Sequence, residues 1–72
     1  GQYVDDTVIT TRVKAAIFKE ETLKSAEINV ETFKGAVQLS GFVNSQADIQ
    51  RAVAVTQGVA GVKSVKNDMR MK

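Results

Sequence analysis

The apolar residues of the first third of the chain recur with the period of an α-helix. Residues 7–20 place four apolar side chains on one helical face, namely Ile9, Val13, Ala16 and Ile17. Asp5 and Asp6 stand where a helix N-terminus favours carboxylates, because they accept hydrogen bonds from free backbone N–H groups and meet the positive end of the dipole. Phe18 is the exception, a large aromatic residue on the polar side of the predicted helix.

From Glu27 the apolar period changes to two, which is typical of β-strands. Lys34-Gly35 separates two such segments and is predicted to form a two-residue hairpin turn. The apolar sides coincide in the register that pairs Val30 with Leu39, or in one slipped from it by an even number of residues. Because Lys34 is a poor choice for a turn position that requires a positive φ, a longer loop is the alternative.

A second helix is predicted to begin after Ser45, since Ser45-x-x-Asp48 resembles a capping box. Its predicted buried stripe consists of Ala52, Val55, Thr56 and Val59, flanked by Ile49 and Val53. Gly58 and Gly61 end the helix, and residues 62–72 alternate again and predict a third strand.

The predicted order is therefore α-β-β-α-β, an α+β fold in which two helices cover one face of a three-stranded sheet. A chain of 72 residues has room for one hydrophobic core, so residues 5–71 are expected to form a single domain. Residues 1–4 are expected to be a flexible N-terminal segment, and one interpretation of Gly1 is a remnant of cloning.

The residue inventory argues against catalysis, because the chain contains no histidine and no cysteine. It therefore lacks the commonest general base and any thiolate ligand or disulfide. Neighbours in a helix point about 100° apart, so Asp5 and Asp6 do not converge on one substrate, and neither do Glu20 and Glu21. We expect a protein that is not an enzyme, holds no metal and needs no cofactor.

Charge is concentrated at the C-terminus. The net charge is +2, yet residues 60–72 alone carry four basic side chains and one acidic one. Lys66, Arg70 and Lys72 form a basic stripe on the predicted third strand, and such a stripe can bind an anionic lipid surface. The alternative is a solvated strand edge that lysine protects from aggregation.

All three phenylalanines lie off the predicted buried stripes. Phe33 and Phe42 share the outer face of the predicted sheet, where they would form a contact for another protein, as in a chaperone-like module. Phe18 lies close to Lys14 and Lys19, a combination that inserts shallowly among lipid headgroups. The alternative for Phe18 is that it folds under the loop that follows the helix.

Residues 58–61 form a G-x-x-G sequence, the spacing by which KH domains bind a nucleic-acid backbone. In KH domains that loop joins two helices, whereas here it joins a helix to a strand. A helix end followed by a tight turn explains it better, so nucleic acid is not expected as a partner.

Three segments carry a resemblance to a known family: Asp5-Asp6 with Ile9-Thr10-x-x-Val13-Lys14-Ala15-Ala16, Val37-Gln38-Leu39-Ser40-Gly41-x-Val43-x-Ser45-Gln46-Ala47, and Gly61-Val62-Lys63-Ser64-Val65-Lys66-Asn67. Together and in this order they resemble the BON domain, named after bacterial osmotically inducible protein Y and nodulation. The resemblance implies an α-β-β-α-β module of the periplasm or outer membrane, commonly found in tandem. It also implies binding to anionic phospholipid, a part in envelope maintenance and osmotic-stress protection, and no catalytic activity.

In such a module Gly41 and Gly61 are expected to be backbone requirements that allow close packing and a tight turn, as Gly35 is in the predicted hairpin turn. Besides a phospholipid surface, envelope proteins or a second BON domain are the expected partners. An export signal would lie upstream of this sequence. Because the family has no universal ligand motif, both lipid-binding surfaces remain open: Lys14, Phe18 and Lys19, or the basic third strand.

Overall fold

A computed structural model describes residues 5–24 and 26–72. Its elements are helix α1 (Asp6–Phe18), a 3₁₀ turn (Glu21–Leu23), strands β1 (Glu27–Phe33) and β2 (Ala36–Val43), helix α2 (Gln46–Gln57) and strand β3 (Ser64–Met71). This order confirms the predicted α-β-β-α-β fold. The expected flexible segment, residues 1–4, lies outside the described residues.

Helix α1 begins where the two aspartates predicted it. The Asp5 carboxylate accepts a hydrogen bond from the Thr7 N–H at 2.7 Å, which caps one of the free donors of the first turn. The buried face consists of Ile9, Val13 and Ile17. The helix ends two residues before its predicted end at Glu20, because the chain turns there into the 3₁₀ turn, which buries Leu23.

Strand β2 lies in the centre of the sheet, between β1 and β3. Its antiparallel pairing with β1 sets Val30 opposite Leu39, so the predicted register is confirmed. Its pairing with β3 is parallel and sets Val37 opposite Val65. Parallel neighbours need a crossover connection, and α2 supplies it. The sequence periodicity left this position of the third strand undecided.

The hairpin between β1 and β2 has the two-residue turn, and the longer loop is wrong. Lys34 and Gly35 have φ angles of 50° and 84°, both in the left-handed region. The carboxylate of Asp6 accepts hydrogen bonds from the N–H groups of both residues, at 2.7 Å and 3.0 Å. These two bonds offset the cost of left-handed backbone at a lysine, about 1–2 kcal/mol.

Gly41 marks a close approach between β1 and β2. Its φ is 116°, and a Cβ atom built on it would lie 1.9 Å from the carbonyl oxygen of Glu27. Gly61, in the turn that follows α2, has a φ of 96°. Both positions therefore require glycine for the backbone.

The core lies between the two helices and the inner face of the sheet. Its most deeply buried side chains are Ile9, Val13, Val37, Leu39, Val43 and Thr56. Thr56 is polar, but its hydroxyl donates to the Ala52 carbonyl at 2.8 Å, so burial leaves it satisfied. Among the described residues, no helix or strand covers the opposite face of the sheet, where Phe33 is 71% exposed.

Candidate functional site

A cleft of about 450 Å³ opens between the C-terminal half of α1 and strand β1. We call it the α1–β1 cleft. Its base consists of buried apolar side chains, Ile17, Leu23 and Val30. Lys14, Phe18 and Lys24 also line it, and all three are exposed. An apolar groove with cations at its mouth matches the chemistry of a lipid, which has an apolar chain and an anionic headgroup.

The 3₁₀ turn explains why this cleft exists. Its last residue is held by the backbone, with the Leu23 N–H donating to the Glu20 carbonyl and the Ala26 N–H donating to the Leu23 carbonyl, both at 3.1 Å. Leu23 thereby fills the space beneath the loop and is only 3% exposed. Phe18 does not fold under that loop, since 70% of its surface is exposed.

The acidic side chains beside the cleft have cationic partners of their own. Arg51 donates its Nε–H to a carboxylate oxygen of Glu20. This hydrogen bond lowers the pKa of Glu20 and raises the pKa of Arg51, because it stabilises both charged forms. Glu21 forms an ion pair with Lys24 at 2.9 Å. The local carboxylates are thus partly neutralised at the end of α1 nearest to Phe18.

The second candidate surface is the outer sheet face, the side of the sheet away from the helices. The strand registers arrange its side chains in four rows across β1, β2 and β3: Phe33–Ala36–Ser64, Glu31–Gln38–Lys66, Asn29–Ser40–Asp68 and Glu27–Phe42–Arg70. Phe42 is 47% exposed, so both aromatic residues of this face are accessible to a partner.

The outer sheet face combines residues from two separate sequence hypotheses. Lys66 and Arg70, predicted for lipid binding, lie on the same face as Phe33 and Phe42, which were predicted for protein contact. Asp68 stands between the two cations and accepts a hydrogen bond from the Gln38 side chain at 3.4 Å. This face therefore carries charges of both signs.

The structure separates the two surfaces predicted for lipid. Lys14 and Phe18 line the α1–β1 cleft, with Lys19 next to Phe18 in the chain, whereas Lys66 and Arg70 project from the other side of the sheet. Lys72 follows β3, and its backbone N–H donates to the Val43 carbonyl at 2.9 Å.

Leu23 and Lys24 are among the residues of the cleft that sequence reasoning missed. Both belong to the connection between α1 and β1, where the apolar residues follow no period that would identify a buried face. The only available signal was a single leucine among polar residues, which is compatible with exposure as well as burial.

The described ranges, residues 5–24 and 26–72, bear on two function classes, metal binding and membrane insertion. They contain no group of three or more acidic, histidine or cysteine side chains that could hold a metal ion. No helix within them has the length and apolar content needed to cross a membrane.

Comparison with known proteins identifies the family. The family model of the BON domain matches residues 5–72. The chain is 44% identical over 72 residues to osmotically-inducible protein Y of Escherichia coli strain K12. The aligned region covers 100% of this chain and 36% of that protein. The chain is also 30% identical over 67 residues to an uncharacterized protein in the gshII 5' region of Anaplasma centrale, covering 93% of this chain and 44% of that protein.

This chain thus spans less than half the length of each of these curated relatives. The similarity to both relatives nevertheless runs through almost all of this chain, which agrees with the order of motifs seen in its sequence. Since the family model begins at Asp5 and continues to Lys72, the chain belongs to the BON domain family.

Proposed function

We propose that this chain is a non-catalytic module of the bacterial envelope that binds anionic phospholipid surfaces weakly through the α1–β1 cleft. The observation that carries the proposal is the exposed Phe18, with lysines around it, at the mouth of an apolar groove. The name of the Escherichia coli relative, osmotically-inducible protein Y, supports a role in osmotic stress. The family resemblance favours the periplasm as the compartment.

The expected strength follows from two lysines and one aromatic ring, because Lys24 is already paired with Glu21. Each lysine near an anionic bilayer contributes about 1 kcal/mol, and Lys14 and Lys19 are exposed. Burial of a whole phenylalanine side chain contributes about 1.5–3 kcal/mol, so partial insertion of Phe18 adds about 1 kcal/mol. A total of about 3 kcal/mol corresponds to a dissociation constant of roughly 6 mM. Such binding is reversible and depends on salt.

The α1–β1 cleft is a better lipid site than the outer sheet face on electrostatic grounds. Lys66 and Arg70 share that face with Glu27, Glu31 and Asp68, which repel anionic headgroups. Near the cleft, by contrast, both acidic neighbours are already paired with cations. The apolar base of the cleft can also accept part of an acyl chain.

Co-sedimentation with phosphatidylglycerol vesicles tests the proposal. Lys14→Gln with Lys19→Gln removes about 2 kcal/mol of attraction, so binding should fall about 30-fold at low salt. Phe18→Ser should weaken binding while leaving its salt dependence intact. The matched control, Lys66→Gln with Arg70→Gln, removes the same charge from the outer sheet face and should reduce binding much less.

Three results would contradict the proposal. The first is an equal loss of binding in the two double variants, which would show a response to net charge alone. The second is equal binding to phosphatidylcholine vesicles, which carry no net charge. The third is binding that does not weaken as salt rises, because attraction between lysines and a charged surface is screened by ions.

A further inference from the structure

The outer sheet face is electrically polarised from one edge to the other. Its β1 edge carries Glu27 and Glu31, and its β3 edge carries Lys66 and Arg70 with Asp68 between them, so the β3 edge keeps a net positive charge. The strand registers place these charges in matching rows, since Glu31 shares a row with Lys66 and Glu27 shares a row with Arg70. Phe42 lies on the central strand in the second of these rows.

We propose that this face binds a second copy of the same chain, with the two sheets face to face about a two-fold axis parallel to the strands. Sheets in such packings lie about 10 Å apart, with their strands nearly aligned. This axis places β1 of one copy over β3 of the other. Each row of one copy then faces the same row of the other copy. A face that is acidic along one edge and basic along the other thereby becomes complementary to itself.

The rows then form specific pairs between the two copies. Glu27 faces Arg70 of the second copy, and Glu31 faces Lys66 of the second copy. Each pair occurs twice because of the symmetry, which makes four ion pairs. Phe42 meets its own equivalent at the axis, an arrangement that suits offset aromatic stacking.

The other two-fold arrangement fits less well. An axis perpendicular to the strands reverses the order of the rows and sets Glu27 over Phe33 of the second copy. Only Lys66 and Asp68 then form ion pairs, two in all. Charge complementarity therefore favours the parallel axis, in which Asp68 faces the amide side chain of Asn29, a hydrogen-bond donor.

The size of the face predicts a weak dimer. Four rows about 7 Å apart and three strands about 5 Å apart give a contact of a few hundred Å² on each copy. This lies below the roughly 800 Å² per partner of a standard stable interface, so we expect a dissociation constant on the order of 0.1–1 mM. The proposal goes beyond lipid binding and does not depend on it, since the α1–β1 cleft lies on the other side of the sheet.

Sedimentation equilibrium of the whole chain at low salt, up to about 2 mM, tests this association. The unaltered chain should show a reversible monomer–dimer equilibrium. Glu27→Lys with Glu31→Lys leaves Asp68 as the one acidic side chain in the four rows of the face, and Lys66→Glu with Arg70→Glu makes its charged side chains all acidic. Each variant alone should lose dimerisation at least 10-fold, and an equimolar mixture of the two should restore a 1:1 heterodimer.

A control separates this surface from general attraction between opposite charges. Lys14→Glu with Lys19→Glu carries the same total charge as the acidic variant, but on the helix side. Mixed with the basic variant, it should not form the heterodimer. NMR spectra recorded across the concentration series should shift at Phe42 and its row neighbours in the unaltered chain only. Circular dichroism shows whether each variant is folded, and substitution of exposed side chains should leave it so.

The proposal is overturned by a chain that stays monomeric at 2 mM and low salt. It is overturned equally by a dimer that neither charge-reversal variant weakens, which would place the contact at a strand edge or a helix. Failure of the two folded variants to associate when mixed would also refute the pairing. Loss of vesicle binding has no bearing on these outcomes, so the two proposals fail separately.

Discussion

Substitution of Asp6 by alanine should destabilise the chain by about 2 kcal/mol. The Asp6 carboxylate accepts hydrogen bonds from the Lys34 and Gly35 N–H groups, and one of these bonds is partly buried. A hydrogen bond to a charged acceptor contributes about 1.5–3 kcal/mol, and exposure to solvent reduces this to about 1 kcal/mol each. The loss also removes the contact that holds Lys34 in the left-handed region, at a φ of 50°.

Urea denaturation followed by circular dichroism measures this effect. A domain of this size has a free energy of unfolding of about 4–11 kcal/mol, so a loss of 2 kcal/mol is large, and the melting temperature should fall by about 10 °C. Asp5→Ala is the matched control, because it removes a single capping bond and should cost about 1 kcal/mol. Lys34→Asn should instead stabilise the chain by about 0.5–1 kcal/mol, since asparagine tolerates left-handed backbone.

The reasoning is refuted if Asp6→Ala costs less than about 0.5 kcal/mol, or if it costs no more than Asp5→Ala. Either result would mean that the turn keeps its conformation without the carboxylate. A destabilising effect of Lys34→Asn would indicate that the lysine side chain contributes more than its backbone strain costs. The lysine ammonium lies 5.4 Å from the centre of the Phe33 ring, and this cation–π contact is the contribution that the substitution would remove.

The remaining predictions concern acid stability and glycine. The hydrogen bond from Arg51 lowers the pKa of Glu20 in the folded state. Its stabilising effect is therefore present above the ordinary pKa of 4.5 and is lost as the pH falls through the lowered folded value. Glu20→Gln should be less stable than the unaltered chain at pH 7, and thermal melts should show this difference shrinking below pH 4.5. Gly41→Ala should abolish cooperative unfolding, because its Cβ would lie 1.9 Å from the Glu27 carbonyl oxygen, whereas Gly58→Ala should be tolerated, since its nearest contact is 3.5 Å. A folded Gly41→Ala protein would show that β1 can move away from β2 at this point.

The candidate site could be predicted only in part. The position of Phe18 opposite the stripe of Ile9 and Val13 left two outcomes open, exposure or burial under the next loop, and in the structure 70% of its surface is exposed. The contribution of Leu23 and Lys24 could not be read from the chain, because a 3₁₀ turn of three residues has no period to detect. The Glu20–Arg51 pair was equally hidden, since it joins residues 31 positions apart.

What the sequence determined by itself is local. Two helical periods and three alternating segments define the α-β-β-α-β order, and alternation together with the two-residue turn at Lys34-Gly35 predicts that Val30 lies opposite Leu39. A side-chain period depends only on backbone geometry within one element, so it can be read without knowledge of the fold.

Tertiary structure decided everything that joins distant elements. Periodicity does not specify the neighbour of β3, because its apolar side would face the helices at either edge of the sheet. Only the crossover through α2 places β3 parallel to β2, and with it Lys66 beside Gln38 and Arg70 beside Phe42. That register aligns the basic edge of the outer sheet face with the acidic edge on β1, and the complementarity between two copies depends on it.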